Sequence, residues 1–411
     1  MNRRFQFSVV AVSTCVVSLL LFGAVHGRSA SPDNPYNNLG VYSEVLAKIK
    51  LEYVEEPDMK AVTLGAINGM LESIDPYASY LNADQYKQYL KSKDAKKADV
   101  GLVLSKRFGY MGVVDALPGS PAAKAGLATG DVIESISNVS TRDMPLAFAE
   151  ILFQGDPGTT IDLSVLRARK SEATKVTLTR AALVYPPLVT KLVTDQGADP
   201  IGLIQTFTLV PGRVKEIAAK IAELEKQGAK KLILDLRLCG TGADEDGIAL
   251  ANLFMDKGLI TYTMGQKSAR QDFQASASKA ITKLPMVVIV NRGTAGAAEI
   301  AAAALNDSKR AELVGERTYG DASIRKAIQM DDGSAVILSI AKYYSPTPKD
   351  GKAIQDAGVT PGTLQAEADA NGPATDDEEE SDAPPTAAAA APAPVKGGDP
   401  VLAKAYEILK K

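Results

Sequence analysis

Histidine and cysteine are almost missing from this sequence of 411 residues, which has one histidine, His26, and two cysteines, Cys15 and Cys239. Their placing sharpens the shortage. Arg3 and Arg4 precede an apolar run from about Phe5 to Val25, and Val25-His26-Gly27 leads out of it into polar sequence. A basic start, an apolar stretch and a small-residue exit are the parts of a secretory signal, here residues 1–27. The run is also long enough to remain as an N-terminal anchor. Removing it takes away His26 and Cys15 and leaves Cys239 as the one thiol. A Ser-His-Asp or Cys-His arrangement within the chain is then excluded. So are a structural zinc site of Cys and His ligands and an intrachain disulfide. No cofactor or metal is implied, and any chemistry must come from carboxylates, lysines, hydroxyls or backbone amides.

A charge excess of one sign is lacking too. The net charge is -3, and the Lys and Arg residues are scattered rather than striped. This argues against nucleic acid as a partner and leaves an uncleaved N-terminal segment as the one route to a membrane. The expected location is exported, in the periplasm or cell envelope, tethered to the inner membrane only if that segment stays.

What is present divides into several parts. Residues 40–97 read as a helical subdomain, with Val41, Val45, Leu46 and Ile49 at helical spacing and a stop at Asp75-Pro76. Residues 98–183 change to short strands, "VGLVLS", "YMGVVDAL", "DVIESIS" and "TIDLSVLRA", interrupted by one helix from about Pro145 to Phe153. Residues 184–363 alternate strand and helix, which implies a mostly parallel sheet covered on both faces. In such sheets sites form at the carboxyl ends of strands. Leu238–Ala243 and Gly293–Ala298 occupy two such ends. Residues 364–398 are acidic and rich in alanine and proline, the composition of a disordered linker. Residues 399–411 read as a last helix capped by Asp399, with Val401, Ala405, Ile408 and Leu409 on one side.

"GSPAAKAGLATGDVIESIS", from Gly119 to Ser137, resembles the central stretch of a PDZ domain. In that family a backbone loop receives a peptide C-terminus, and the peptide adds as a strand beside a helix. The resemblance implies a β-barrel-like fold here, with Val100, Gly101, Leu102 and Val103 in the loop and Leu146 and Ile151 lining the peptide pocket. Around it, "GAINGMLESIDPYASYL", "LILDLR", "GTAGAAEIAAAALND", "LVGERTYG", "DGSAVILSIAKYYSP" and "GVTPG" occur in the order found in the C-terminal processing (tail-specific) serine peptidases. The chain is identified as resembling that family over about residues 40–363 and the last dozen. The implied fold class is multidomain α/β (α+β), with a helical subdomain, a PDZ domain and a peptidase-like α/β core.

The resembled family cuts proteins near their C-termini with a serine nucleophile and a lysine base, which burial can bring to a working pKa without histidine. Its corner reads Gly-Ser/Thr-Ala-Ser-Ala-Ser-Glu. Here Gly293, Thr294, Ala295 and Glu299 match, but Gly296 stands at the nucleophile and Ala298 at the next serine. The lysine position is Asp321, and the glutamine that orients the lysine corresponds to Arg325. On the oxyanion side, the family's Asn-Asn-x-Gly-Gly corresponds to Leu238-Cys239-Gly240-Thr241-Gly242, so only part of that loop survives; the positions are Thr241, Gly242 and Ala297. Substitutes at Thr294, Cys239, Ser323 with Lys326, or Asp321 with Glu316 are the alternatives open to an active enzyme. The expectation is an exported, catalytically degenerate relative that binds protein C-termini as a substrate-binding or regulatory factor in envelope proteolysis, with an active paralogous peptidase or a second copy of itself as partner. The alternatives are a working endopeptidase with relocated groups and a structural envelope protein.

Overall fold

The computed structural model describes residues 39–94, 98–107, 109–142, 144–167, 170–197, 199–346, 351–367 and 398–410. The expected signal, 1–27, and most of the expected linker, 368–397, lie outside the described residues. Among the described residues no helix is long and apolar enough to cross a membrane. The chain forms two compact units, one ending at Leu64 and one from Gly65 to Lys411.

The first unit holds α1 (Leu39–Glu52) and the start of α2 (Met59–Glu72). Asp58 caps α2 by accepting the amides of Lys60 and Ala61 at 2.9 and 3.1 Å. The apolar stripe expected to pack leaves Val41 and Val45 62% and 51% exposed, and no residue of α1 is buried. A few aliphatic side chains on a short helix offer too little area to enclose a core of their own.

In the second unit β1 (Ser79–Leu81) precedes α3 (Ala83–Asp94), whose start is a reciprocal box. Asn82 accepts the Gln85 amide at 2.9 Å and Gln85 accepts the Asn82 amide at 3.0 Å. The strand-rich region follows with β2 (Leu102–Arg107), β3 (Tyr110–Ala116), the single turn α4 (Pro121–Lys124), β4 (Val132–Ile136), β5 (Val139–Ser140), α5 (Leu146–Phe153), β6 (Thr160–Leu166) and β7 (Ala173–Thr179). The sheet order is β2-β3-β4-β6-β7, with β5 on β4. Alternation makes its core: Ile161, Leu163 and Val165 of β6 point inward while Thr160 and Asp162 are exposed. β2 is an edge strand.

The remainder is the α/β core: β8 (Val189–Val193), β9 (Ile201–Gln205), β10 (Thr208–Leu209), α6 (Arg213–Lys226), β11 (Lys231–Asp235), β12 (Thr241–Gly242), α7 (Asp244–Asn252), β13 (Leu259–Met264), β14 (Gln271–Gln274), β15 (Met286–Val290), α8 (Ala297–Asp307), β16 (Glu312–Gly315), β17 (Ser323–Gln329), β18 (Ala335–Tyr344), β19 (Thr363–Leu364) and α9 (Pro400–Lys410). The main sheet runs β19-β16-β15-β11-β9-β8, parallel except where β8 meets β9. α6, α7 and α8 cover one face through Ile217, Ile221, Leu250, Ile300 and Leu305. α9 covers the other, with Val401, Ala405 and Leu409 against Ile233, Ile289 and Val314. Asp399 caps α9 as expected, accepting the amides of Val401 and Leu402 at 3.0 Å, and pairs with Arg237 at 2.7 Å. Order extends past residue 363 on the linker side: Leu364 pairs with Gly315, and Glu367 accepts from Asn291 at 3.1 Å. A second, antiparallel sheet, β1-β18-β13-β14 with β17 on β18, carries the predicted hairpin around Asp332-Gly333.

Candidate active site

Both expected strand ends meet. β15 and β11 run in parallel register, so the loops after Val290 and Asp235 emerge side by side. The Asn291 carboxamide oxygen accepts the amides of Leu238 (3.1 Å) and Gly293 (3.0 Å), and the Ala295 amide donates to the Cys239 carbonyl at 3.1 Å. Thr294 is fully buried within this lacing. Its hydroxyl donates to the Leu236 carbonyl at 2.9 Å and accepts the Asn291 amide at 3.0 Å. It is a structural tie and does not line the cavity at the corner.

At the corner Gly296 has φ 60° and ψ −124°, a backbone setting open to glycine and strained for other residues. α8 begins at the next residue, so the Ala297 amide heads a helix N-terminus with no described hydrogen-bond partner of its own. A side chain at 296 has room: the nearest atom to an added Cβ is the Asp321 carbonyl oxygen, at 3.8 Å.

Glu299, one turn into α8, joins the corner to the 318–321 segment. Its buried carboxylate accepts the amides of Gly296 (3.1 Å), Gly320 (2.7 Å) and Asp321 (2.8 Å), and the Thr318 hydroxyl. Burial pushes its pKa up to about 7 against the Thr318 hydroxyl and the Asp321 and Gly320 amides, which lower it. The sequence offers one faint sign of this, a glutamate three residues after the N-cap position.

Gly240, Gly242, Asp244, Gly296, Asp321 and Arg325 line one cavity of about 400 Å³. The positions paired by resemblance with nucleophile, base and orienting group are therefore neighbours in space. Thr241 and Gly242 form β12 against β10 in parallel, and of the expected oxyanion-side residues Gly242 lines the cavity while Thr241 and Ala297 do not. Gly242 is needed there, because a Cβ would come 2.9 Å from the Leu209 carbonyl oxygen. Asp321 and Arg325 form an ion pair, and the guanidinium lies over the Tyr77 ring. Burial raises the Asp321 pKa against Arg325, which lowers it. Burial works against the Arg325 charge, but Asp321, Tyr77 and Asp75 hold its pKa above the ordinary value.

Several expectations are corrected. Cys239 is buried, and burial together with the neighbouring Asp115 carboxylate pushes its thiol pKa up, the opposite of an activated nucleophile. Glu316 does not line the cavity with Asp321 but pairs with Arg292 at 3.0 Å; the carboxylate that shares the cavity is Asp244. Burial pushes Asp244 up to about 6, with Asp321 and Glu245 adding to the rise and the Tyr343 hydrogen bond opposing it. Ser323 lines the cavity and its hydroxyl is engaged with that of Ser339 at 2.9 Å, while Lys326 is exposed.

In the strand-rich domain, Leu146 and Ile151 both stand on α5. Both are buried, Leu146 in the domain's own core, because α5 is apolar almost all round. Val100 is buried as well, and its carbonyl accepts the Ala122 amide at 3.0 Å. The Gly101 amide donates to the Asp99 carboxylate at 2.8 Å and is not free for a ligand. Leu102 and Val103 are partly exposed on the edge strand.

A strand-to-helix corner beside an amide-lined loop, at the carboxyl ends of a parallel sheet and next to a PDZ-like domain, defines a serine-type peptidase fold. Residues 201–363 match Peptidase family S41 and residues 112–167 match the PDZ domain. The chain is 32% identical over 374 residues to the carboxy-terminal processing protease CtpA of Bacillus subtilis, covering 88% of this chain and 77% of that protein. It is 32% identical over 317 residues to the carboxyl-terminal-processing protease of Synechocystis, covering 76% and 73%. The solved photosystem II D1 C-terminal processing protease superposes with a TM-score of 0.65 at 27% identity, covering 81% of this chain and 89% of that one. The chain belongs to the C-terminal processing peptidases of family S41.

Proposed function

We propose that this chain is a catalytically degenerate C-terminal processing peptidase, exported by its N-terminal segment, that binds protein C-termini without cutting them. One observation carries the reading. The cavity where Gly296 and Asp321 meet offers no attacking oxygen or sulfur at position 296, and the Asp321 carboxylate is tied to Arg325. The proposed substitutes argue the same way, since Thr294 and Cys239 are locked in the interior. Binding is supported by β2, an edge strand whose outer side can take an added strand. With Gly101 committed to Asp99 and the Val103 amide turned toward β3, a terminal carboxylate would be received by the outward-facing amide of Leu102.

The test is a cleavage assay with a fluorescent polypeptide, run on the natural chain and on a rebuilt one carrying Gly296→Ser, Asp321→Lys and Arg325→Gln. The natural chain is expected to bind the peptide only with a free C-terminus and to cut nothing, and the rebuilt chain to gain cleavage. Turnover by the natural chain that is abolished by Asp321→Asn or Asp244→Asn would replace this reading with that of a carboxylate-based endopeptidase.

A further inference from the structure

Among the described residues, Tyr77 is the one fully buried side chain in the core of the PDZ domain that comes from outside residues 98–183. It is 4% exposed and shares that core with Val100 and Leu104 on one side of the domain's groove and with Leu146, Ala149 and Phe153 of α5 on the other. The segment that delivers it is fastened to α5. The Ser79 hydroxyl accepts the Ala147 amide at 3.2 Å, and Leu81 packs with Ala147 and Phe148. Residues 77, 79 and 81 are two apart, so an extended chain turns all three side chains to one side. The backbone of this segment pairs elsewhere: β1 joins β18, and the edge of β2 stays open.

β2 and α5 are the two elements between which a PDZ domain takes its peptide. Tyr77 meets Ser105 and Lys106 around one cavity, which places it toward the end of β2 remote from the Leu102 amide. A strand laid along β2 from Leu102, at about 3.3 Å per residue, reaches that level within about four residues. The ring is held there by opposed effects. Its hydroxyl is enclosed with no hydrogen-bond partner, whereas a buried phenol ordinarily finds one, and this works against the seated position. The Arg325 guanidinium works for it, lying over the ring at 4.1 Å while it pairs with Asp321.

We propose that Tyr77 is a built-in occupant of the PDZ peptide groove, seated in the resting chain and displaced by an incoming C-terminal segment, so that peptide binding takes the aromatic support away from Arg325. The inference rests on the proposed function, because it needs a peptide at β2. The observed affinity is then the intrinsic one reduced by the fraction of molecules whose Tyr77 is withdrawn. Two substitutions at one position should therefore act in opposite directions, which a purely structural tyrosine would not produce.

The test is calorimetric titration of the full chain with an eight-residue peptide that is apolar toward a free C-terminus, and with its C-amidated counterpart. Tyr77→Ala should bind the free peptide about tenfold or more tighter. Tyr77→Phe should bind it about threefold to tenfold more weakly, because losing the unpartnered hydroxyl favours the seated ring. Arg325→Gln, which loosens the ring without touching the groove, should bind about threefold tighter. Hydrogen exchange over residues 77–81 should quicken when the peptide is added to the natural chain. Thermal melts check that each variant folds; should Tyr77→Ala not fold, the opposite signs expected of Tyr77→Phe and Arg325→Gln carry the test. Affinities unmoved by the substitutions, or a folded Tyr77→Ala that binds more weakly, overturn the occupant and leave the C-terminus reading standing. No binding by any of the proteins, or equal binding of the amidated peptide, overturns the C-terminus reading and the occupant with it.

Discussion

The guanidinium carbon of Arg325 lies 4.1 Å from the centroid of the Tyr77 ring. Arg325 also pairs with Asp321, so one side chain pins the Asp75–Ala78 turn to the segment that holds the corner. A double-mutant cycle with Tyr77→Leu and Arg325→Gln, read by urea denaturation, is expected to give a coupling of about 1 kcal/mol. Simple additivity would show that the stack contributes nothing.

Glu299 has a more severe role. Glutamine at 299 presents one acceptor oxygen and an amide group to four donors that now share a carboxylate. Glu299→Gln should cost roughly 2–4 kcal/mol. Because the same bonds hold Gly296 beside Asp321, the rebuilt enzyme should also lose its gained cleavage when Glu299→Gln is added. A melting temperature unchanged from the parent would contradict this account.

Asp115 sets a pH dependence. It is 1% exposed, and neither carboxylate oxygen has a hydrogen bond of ordinary geometry. Burial pushes its pKa up to about 7, and the nearby Ala116 and Gly240 amides oppose the rise without cancelling it. A folded pKa above the unfolded one means that the protonated form is favoured by folding. The contribution is full below the unfolded carboxylate range and is lost as pH rises through about 7. Asp115→Asn should therefore flatten the fall in stability between about pH 5 and pH 8, a gain on the order of 3 kcal/mol at the upper end. Glu299 shifts the same way, so some slope should persist. Parallel profiles for the two proteins would exclude Asp115 as the source.

Two glycines near the site should respond in opposite degree. A Cβ at Gly247 would come 2.1 Å from the Ala297 carbonyl oxygen, so Gly247→Ala must pry α7 from α8 and should cost about 2–3 kcal/mol. At Gly296 the space is open and the cost is backbone strain alone, about 1–2 kcal/mol for Gly296→Ala. Equal losses in denaturant midpoints would show that crowding at the helix contact is relieved elsewhere.

Much of this was legible along the chain because it rests on local pattern. Alternation in Ile161, Leu163 and Val165, the run Met286–Val290 and the stripe Ile217, Ile221, Leu224 each mark an element whose burial follows from its period. The Asp399 cap was legible for the same reason. Leu146 and Ile151 show the limit: a helix apolar on most sides does not reveal which side meets the core and which a ligand. Glu316 and Asp244 show another, since Glu316, near Asp321 in sequence, pairs elsewhere while Asp244, far along the chain, shares its cavity.

The sequence by itself determined the family, the order of elements and the residue types at positions 296, 321 and 325, because these depend on identity and spacing. Only the tertiary structure decided that Glu299 joins the corner to Asp321, that Tyr77 stacks on Arg325, and that Cys239 is sealed in the interior. Each of these depends on a distance between residues remote in the chain, and such distances are set by how sheets and helices pack rather than by any local preference.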